Sequence, residues 1–531
     1  MNAETLPALA APARAPLSLR TRNGVAVAAA ALALGAAGDA LLRPVPWGLN
    51  LTLWVALLVA AAAGLQRWAE VDDAVVGWIP VALSVAALMS WRDSPTLKAL
   101  DLAALCVILG LAVHRAGGGS VRVAGLARYC AALLKAVFEA TCGAGILVGR
   151  DVKWGELRGD GWTRHAMAAG RGTALALPLL LIFGSLLMAA DAGFDHLIAR
   201  TFNLDLPLAA SHITLALVFA WGAAGVLRAL VIPSSPTPTI AGDAAADVQP
   251  ARKPHLGTVE TAMVLGLLDL LFLAFVVIQL PHFFGSYGDL MAPGTATFSE
   301  YARRGFFELC VVAGLVLPLL MTVHWLIRGD DPREQRVFRI AAGTMVGLMF
   351  VIILSALHRM RLYQSAYGLT ELRVYTTAFM LWLTAVFGWF CWTVLRGSRE
   401  RFAFGAVTAA VETIVLLHVA SPDALIVRVN AAREQSAVRF DAIYAASLSG
   451  DAVPGLLRRL DAVPVEGRCY VARTLLRQWS GADEDWRAWS LGRSRAVAAV
   501  RARRAELNRM CPADAAPATA ASPASPTRSR S

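Results

Sequence analysis

The sequence predicts an all-α polytopic membrane protein with about 11 transmembrane helices and a small C-terminal α-helical soluble domain. Hydrophobic residues make up 57% of the 531 residues, and charged residues only 16%, against about 25% in soluble globular proteins. The charges are also unevenly placed, because 15 arginines and 10 acids fall within residues 422–510. An apolar membrane body joined to a soluble C-terminal piece explains both observations.

Crossing the hydrocarbon core takes about 20 mostly apolar residues in a helix. Eleven runs of suitable length and low charge fit this requirement: 24–42, 47–65, 74–91, 96–113, 172–190, 209–231, 258–281, 305–327, 337–357, 371–395 and 403–421. The first run follows three arginines but has no small-residue cleavage site, so we expect an uncleaved first span. These runs divide the body into four N-terminal helices (24–113) and a seven-helix membrane domain (172–421).

The stretch 129–148 is apolar but carries Lys135 and Glu139 four residues apart. This spacing is typical of a solvated pair on a helix surface. We therefore expect an interfacial or re-entrant helix inside a cytoplasmic segment, 114–171. If this helix crosses the membrane instead, the side assigned to the C-terminal piece reverses.

Positive residues favour the cytoplasmic side of short membrane loops. With the N-terminal segment 1–23 in the cytoplasm, the inner connections carry 23 Lys and Arg and the outer connections carry 9, counting those close to span ends. An odd number of spans then places the C-terminal piece outside, in the periplasm of a bacterial inner membrane. In this topology Cys469 and Cys511 are the only thiols in an oxidising compartment, where they can pair.

The C-terminal piece begins where Pro422 ends the last span. Short helical patterns continue to residue 510, which predicts an extracytoplasmic helical domain over 422–510. Residues 511–531 are rich in Ala, Pro, Ser and Thr and are predicted to be a disordered tail.

The common motifs of catalysis are absent from the sequence. It has no phosphate-binding GxxxxGK[ST] loop, no HExxH zinc motif and no GxSxG elbow, so no catalytic residue, metal or cofactor is predicted. The formal charge is +11, but many of the positive residues lie in short loops between apolar runs rather than on one face of a soluble domain, which argues against a nucleic-acid surface. The expected partners are the lipid bilayer and an envelope glycan, lipid or protein.

Ionisable groups inside membrane spans are costly and raise a functional question. Asp269 lies in the middle of its span, and Glu412 and His418 flank the middle of the last one. These residues are candidates for a proton or cation relay. The alternative is that they make structural hydrogen bonds between helices.

Three polar and aromatic segments lie at predicted outer ends of spans: 298–309, 358–373 and 423–433. On a helix, Arg359, Tyr363 and Tyr367 share one face, and Gly368 suits the residue that ends it. We expect the three segments to converge into one Arg- and Tyr-lined patch for an anionic or glycan ligand. The alternative is an interfacial belt of Tyr and Arg that anchors span ends.

The strings EYARRGFFEL, RMRLYQSAYGLTELRVY and SPDALIVRVNAAR resemble segments of an uncharacterised bacterial integral membrane family, domain of unknown function 4173, which is related to 4153. The resemblance implies candidate ligand-binding positions but no established activity. These positions are Glu300, Tyr301, Arg303, Arg304, Glu308, Arg359, Arg361, Tyr363, Tyr367, Glu371, Arg373, Asn430 and Arg433.

Three functions follow from these patterns, and a non-enzymatic one is favoured. The first is binding or assembly of an envelope component through the outer Arg/Tyr-rich face. The second is a secondary transporter or channel that uses the intramembrane carboxylates. The third is a membrane-embedded transferase, which is less favoured because the first outer loop, 43–47, is short and carries no acid.

Overall fold

The computed structural model describes most of the chain. It covers residues 17–70, 76–157, 206–232, 257–284, 306–327, 331–433, 440–463, 465–481 and 485–510, together with positions 172, 176, 183 and 187. Within these ranges the regular structure is helical. Apart from those four positions, the predicted span at 172–190 lies outside the described residues, as does the tail at 511–531.

The membrane body is built from α1 to α11. Their bounds are Leu19–Leu42, Leu49–Trp68, Ile79–Leu88, Pro95–Ala116, Leu126–Ile146, Leu206–Val231, Thr258–Phe284, Phe306–Leu326, Pro332–Tyr367, Glu371–Thr393 and Phe402–Ala420. Nine helical segments in the described ranges are long and apolar enough to cross a membrane. The all-α polytopic fold is therefore confirmed.

A helical domain follows the membrane body without a break. Its helices, α12 to α17, are Pro422–Ala431, Ala442–Ser447, Val453–Arg458, Val465–Gln478, Leu491–Ala502 and Arg504–Met510. Buried aliphatic residues of α12, α14, α15 and α16, such as Ile426, Leu456, Leu475 and Val497, form one hydrophobic cluster. The α12–α17 segment thus has its own core, separate from the cluster around Phe387 and Phe390 in the membrane body.

The C-terminal domain packs on one end of the membrane helices, which we call the domain end. The N–H of Leu49 donates to the carbonyl of Trp489 (2.9 Å), and the N–H of Leu491 donates to that of Ser90 (2.8 Å). Arg487 also donates to the carbonyl of Ala40 (2.5 Å). The α1–α2 and α3–α4 connections therefore lie at the domain end, and residue 19 begins α1 at the opposite, far end.

The same directions can be followed through the rest of the body. The α9–α10 connection contacts α12 at the domain end, through Leu369 and Asn430. The start of α6 lies there too, because His212 contacts Asp39 near the end of α1 (2.6 Å). Asp151, in contrast, contacts Arg20 at the far end. The chain thus leaves the described residues at the far end and returns to them at the domain end.

Helix α5 differs from its neighbours because both of its ends lie near the far end. Tyr129 near its start packs in one cluster with Leu111 and Ala403, and Asp151 just beyond its end contacts Arg20. Its length and apolar character alone would allow a crossing. The position of its two ends favours the predicted interfacial or re-entrant placement over a crossing.

The prediction was argued from a solvated pair of Lys135 and Glu139, and this argument was wrong. Glu139 is buried and does not pair with Lys135. Its carboxylate accepts from Arg228 of α6 at 2.7 Å, and Arg228 also donates to Asp151 at 2.5 Å. The helices approach closely here, since a Cβ on Gly143 would lie 2.7 Å from Gly225 Cα. Buried charges thus join α5 to α6, and Asp151 extends the link to the half-exposed Arg20 of α1.

Candidate functional site

A cavity of about 560 Å³ lies at the domain end, where the membrane helices meet the C-terminal domain. We call it the arginine cavity. Its walls come from the α3–α4 connection, the end of α11, helix α12, the turn before α14, α14 itself and the start of α16. The lining residues are Arg92, Val419, Ala420, Ser421, Ala424, Leu425, Arg428, Gly450, Asp451, Pro454, Gly455, Arg458, Arg459, Gly492 and Arg495.

The charge of the lining is strongly one-sided. Five arginines face the cavity with a single carboxylate, that of Asp451. Arg428, Arg458 and Arg495 make no hydrogen bond or ion pair within the described part of the chain. Guanidinium groups concentrated in one concave site repel one another and attract anions. The electrostatics of the cavity therefore suit a ligand with negative charge.

Ser421 adds an uncharged donor to the same wall. The residue is 7% exposed, and its hydroxyl oxygen has no partner among the residues that the structure describes. It connects α11 to α12 with a left-handed φ of 50°, an unusual backbone conformation for serine. A buried hydroxyl without a partner carries an energetic cost that an anionic oxygen would remove.

Arg92 and Asp451 both line the cavity and lie close to each other. Arg92 donates from Nε to the carbonyl of His418 at 2.8 Å, and a terminal nitrogen lies 3.5 Å from Asp451. Burial raises the pKa of the Asp451 carboxyl, while the N–H of Asp93 and the charge of Arg92 oppose the rise. Arg92 is thus held in place by two partners.

Asp93 and Asp451 join the membrane helices to the domain, because the carboxylate of each accepts a hydrogen bond from the backbone on the other side. The N–H of Asp93 donates to the Asp451 carboxylate at 2.7 Å, and the N–H of Gly450 donates to the Asp93 carboxylate at 3.2 Å. Lys98 forms an ion pair with Asp93 at 3.2 Å. A Cβ on Gly492 would lie 2.9 Å from Cγ of Asp451, so a larger residue would displace this carboxylate.

The predicted relay residue His418 lies directly below the cavity, and its partner is one that the sequence analysis missed. His418 Nε2 lies 3.3 Å from the carboxylate of Asp101, and both side chains are 0% exposed. Asp101 belongs to the predicted span 96–113, so the criterion that selected His418 would also have selected Asp101. His418 therefore links α11 to α4 across the bundle.

Asp269 and Glu412 are not joined to this pair in the structure. Helix α7, which carries Asp269, packs against α9, whereas α11, which carries Glu412, packs against α10 and α4. One carboxylate oxygen of Asp269 is buried without a partner in the described ranges, and Glu412 is exposed on the surface of the bundle.

Two of the three predicted polar segments meet at the domain end. The side-chain amide of Asn430 forms two hydrogen bonds with the backbone of Leu369. Arg433 donates to the carbonyl of Gln364 at 2.9 Å and also to that of Ser365. Segments 358–373 and 423–433 therefore form one connected surface.

Several predicted ligand-binding side chains on this surface already make contacts with residues at the end of α9. Arg373 donates to the carbonyls of Tyr367 (3.2 Å) and Gly368 (2.5 Å), and its guanidinium lies 4.1 Å from the ring centre of Tyr363. The rings of Tyr363 and Tyr367 are 5.1 Å apart. Arg373, like Arg433, therefore donates to backbone carbonyls where α9 ends.

The remaining predicted positions divide into two groups. Arg361 is exposed, Arg359 and Glu371 are half-buried, and the N–H of Glu371 donates to the hydroxyl of Tyr444 at 2.9 Å. Glu300, Tyr301, Arg303 and Arg304 lie outside the described residues, as does the side chain of Glu308. Convergence of the third segment with the other two stays a prediction.

The family model for a domain of unknown function, DUF4153, matches residues 79–459. No curated protein and no solved structure matches the chain. The resemblance drawn from the three sequence segments named family 4173 and its relative 4153, and the match shows 4153. The matched range runs from α3 to just beyond α14 and includes every arginine of the cavity except Arg495. This chain belongs to the DUF4153 family.

Proposed function

We propose that this protein binds an anionic component of the bacterial envelope in the arginine cavity and has no catalytic role. The observation that carries the proposal is the lining of five arginines and one carboxylate, with Arg428, Arg458 and Arg495 free of partners in the described ranges. Phosphate and carboxylate groups accept paired hydrogen bonds from guanidinium groups, and these charge-assisted bonds are among the strongest in proteins.

The proposal places the cavity outside the cytoplasm. The excess of Lys and Arg in the inner connections supports a cytoplasmic N-terminus, and the described helices put residue 19 and the C-terminal domain at opposite ends. Cys469 of the domain is disulfide-bonded, whereas Cys106, Cys130, Cys142 and Cys391 are free. A disulfide in this domain fits an oxidising compartment.

In the proposal, the predicted Arg/Tyr-rich face supports and extends the cavity. Helix α12 contributes Arg428 to the cavity and Asn430 to the connection between α9 and α10. Arg361 and Tyr367 are exposed at the same end of the bundle and are available to an envelope glycan or protein. Binding in the cavity and assembly with a partner would then use adjoining surfaces.

The transport alternative has less support. A relay needs groups along one path, yet Asp269 and Glu412 belong to helices that pack on different neighbours. His418 is hydrogen-bonded to the carbonyl of Ile414 (3.0 Å) as well as close to Asp101, which suits a structural link between helices.

The test is anion binding by the full-length protein in a non-ionic detergent. Inorganic pyrophosphate is the probe, and its binding is measured as a rise in the unfolding temperature at low salt. We expect stabilisation of the unmodified protein that falls as ionic strength rises. The double variant Arg458→Glu with Arg495→Glu should lose at least ten-fold in affinity.

The matched control is Arg477→Glu with Arg504→Glu, which changes the same charge on exposed positions of the same domain outside the cavity. The control should bind pyrophosphate nearly as well as the unmodified protein. Equal loss in both double variants would show that only net charge matters. Equal binding by the cavity variant and the unmodified protein would remove the cavity from the function.

A further inference from the structure

The arginine cavity is bounded on one side by apolar residues that belong to a membrane helix. Val419 and Ala420, at the end of α11, line the cavity together with Leu425 of α12. A site for a small soluble anion has no need of such a wall. The apolar side indicates that part of the occupant is hydrocarbon.

The apolar wall continues along α11 toward the bilayer. Val419 is 63% exposed and Leu416 is 67% exposed, and Val415 one residue earlier is also exposed. Residues three and four apart lie on the same face of a helix, so these three side chains form one stripe that ends at the cavity. The arginine-lined head site and a lipid-facing stripe are therefore continuous.

We infer that the occupant of the arginine cavity is a phosphate-headed membrane lipid, with its phosphate among the arginines and a hydrocarbon chain along the Val415–Val419 stripe of α11. This inference rests on the proposed function and specifies its ligand class. Charge complementarity supplies the head contacts, and the stripe supplies apolar contact from the same direction as the bilayer.

Geometry explains why a lipid head can reach the site. The last residues of α11 line the cavity at the domain end, and the end of a transmembrane helix is the level at which it meets lipid headgroups. Ser421 follows directly after α11, so its unpartnered hydroxyl is positioned to donate to a phosphate oxygen. Arg458 and Arg495 then face the phosphate from the domain side.

The experiment uses the full-length protein in phosphatidylcholine nanodiscs that contain a small fraction of phosphatidylglycerol with a photoreactive acyl chain. After illumination, the labelled peptides are identified by mass spectrometry. We expect labelling at residues 415–419 to exceed that on the exposed apolar face of α7, around Met263, Leu267 and Leu270, at least five-fold. Helix α7 serves as the internal reference for general lipid contact.

Two comparisons make the result specific. Arg458→Glu with Arg495→Glu should reduce labelling of α11 to the level of α7, whereas Arg477→Glu with Arg504→Glu should leave it unchanged. Photoreactive diacylglycerol, which has the same chains and no phosphate, should label α11 and α7 alike. Equal labelling of both helices by the phosphate probe would overturn the inference.

The outcome is separable from that of the proposed function. If pyrophosphate binds the unmodified protein but the lipid probe shows no preference for α11, the cavity takes a soluble anion and the lipid inference alone fails. If neither probe distinguishes the cavity variant from the unmodified protein, both proposals fail.

Discussion

Asn430 and Leu369 are joined by two hydrogen bonds, in which the Asn430 side-chain amide accepts from the Leu369 N–H at 2.7 Å and donates to the Leu369 carbonyl at 2.8 Å. The two residues are 61 positions apart. One lies in the α9–α10 connection of the membrane body, and the other lies on α12, whose Arg428 lines the arginine cavity. This pair therefore fixes one wall of the cavity relative to the membrane helices.

Replacing Asn430 should weaken that connection. Asn430→Ala leaves a half-buried backbone donor and acceptor of Leu369 without their partner, at a cost of up to about 1–3 kcal/mol for each group. Asn430→Asp keeps the acceptor and loses the donor, so an intermediate loss is expected. The unfolding temperature of the detergent-purified protein measures the loss of stability in both variants. An unchanged value for Asn430→Ala would contradict the role assigned to this amide.

Gly368 should tolerate no side chain. Its φ of 78° with ψ of −179° lies in a region that is essentially restricted to glycine, and a Cβ would lie 2.7 Å from Asn430 Oδ1. Gly368→Ala should cost about 1–3 kcal/mol or more of stability. The control is Gly347→Ala in the middle of α9, where a Cβ meets nothing within 4 Å. A loss as large for Gly347→Ala would show that the effect is not specific to position 368.

Stability should depend on pH through Asp423. Burial, together with the nearby charges of Glu371 and Asp451, raises the pKa of its carboxyl from 3.8 to about 6, against the opposing hydrogen bonds from Ser449. The folded state therefore binds the proton more tightly than the unfolded state. The protonated Asp423 carboxyl therefore stabilises the folded state fully below pH about 4, and this contribution is lost as the pH rises through about 6. The free energy of unfolding changes by an amount on the order of 3 kcal/mol.

Asp423→Asn removes this titration while keeping a similar shape. The unfolding temperature of the variant, measured from pH 4 to pH 8, should vary less than that of the unmodified protein. The unfolding temperature of the variant should exceed that of the unmodified protein by the largest amount at pH 8. Parallel pH profiles would show that Asp423 does not titrate in this range.

The buried pair of His418 and Asp101 gives a prediction for the membrane body. His418→Ala leaves Asp101 buried without its partner and should cost roughly 3–5 kcal/mol. Adding Asp101→Leu removes the stranded carboxylate and should restore part of the loss. A double variant whose loss equals the sum of the two single losses would show that the residues do not interact, as measured by unfolding temperature and yield of monodisperse protein.

The fold was largely predictable because membrane spans depend on long apolar runs. The runs at 24–42 and 337–357 fall within helices of the structure, and the run at 371–395 matches α10 except for its last two residues. Gly368 also marked the end of α9, since this position requires a particular backbone conformation. These features depend on residues that are close together in the chain, so they could be predicted from a single sequence.

The arginine cavity was not predictable in the same way. Arg92, Ser421, Arg458 and Arg495 come from four separate segments, and tertiary packing alone brings them together. Arg428 lies within the predicted segment 423–433 but was not selected, because Asn430 and Arg433 carried the family resemblance. Those two residues turned out to bind backbone groups at the end of α9. A sequence shows which residues are charged, but not which of them will be left without a partner.

The side of the membrane that carries the C-terminal domain can be tested independently. A phosphatase that is active only in the periplasm, fused after Met510, should be active. A fluorescent protein that matures only in the cytoplasm should stay dark at the same position. The opposite result would place the arginine cavity in the cytoplasm and contradict the predicted orientation.

The most direct measurement is an electron cryo-microscopy map of the full-length protein in nanodiscs that contain phosphatidylglycerol. A phosphate bound in the cavity should appear as density within about 3 Å of the side chains of Arg458, Arg495 and Ser421, the range of a hydrogen bond. A tail of density should run from it along Leu416 and Val419. A well-resolved cavity that contains only water, with Arg428, Arg458 and Arg495 directed into bulk solvent, would contradict anion binding at this site.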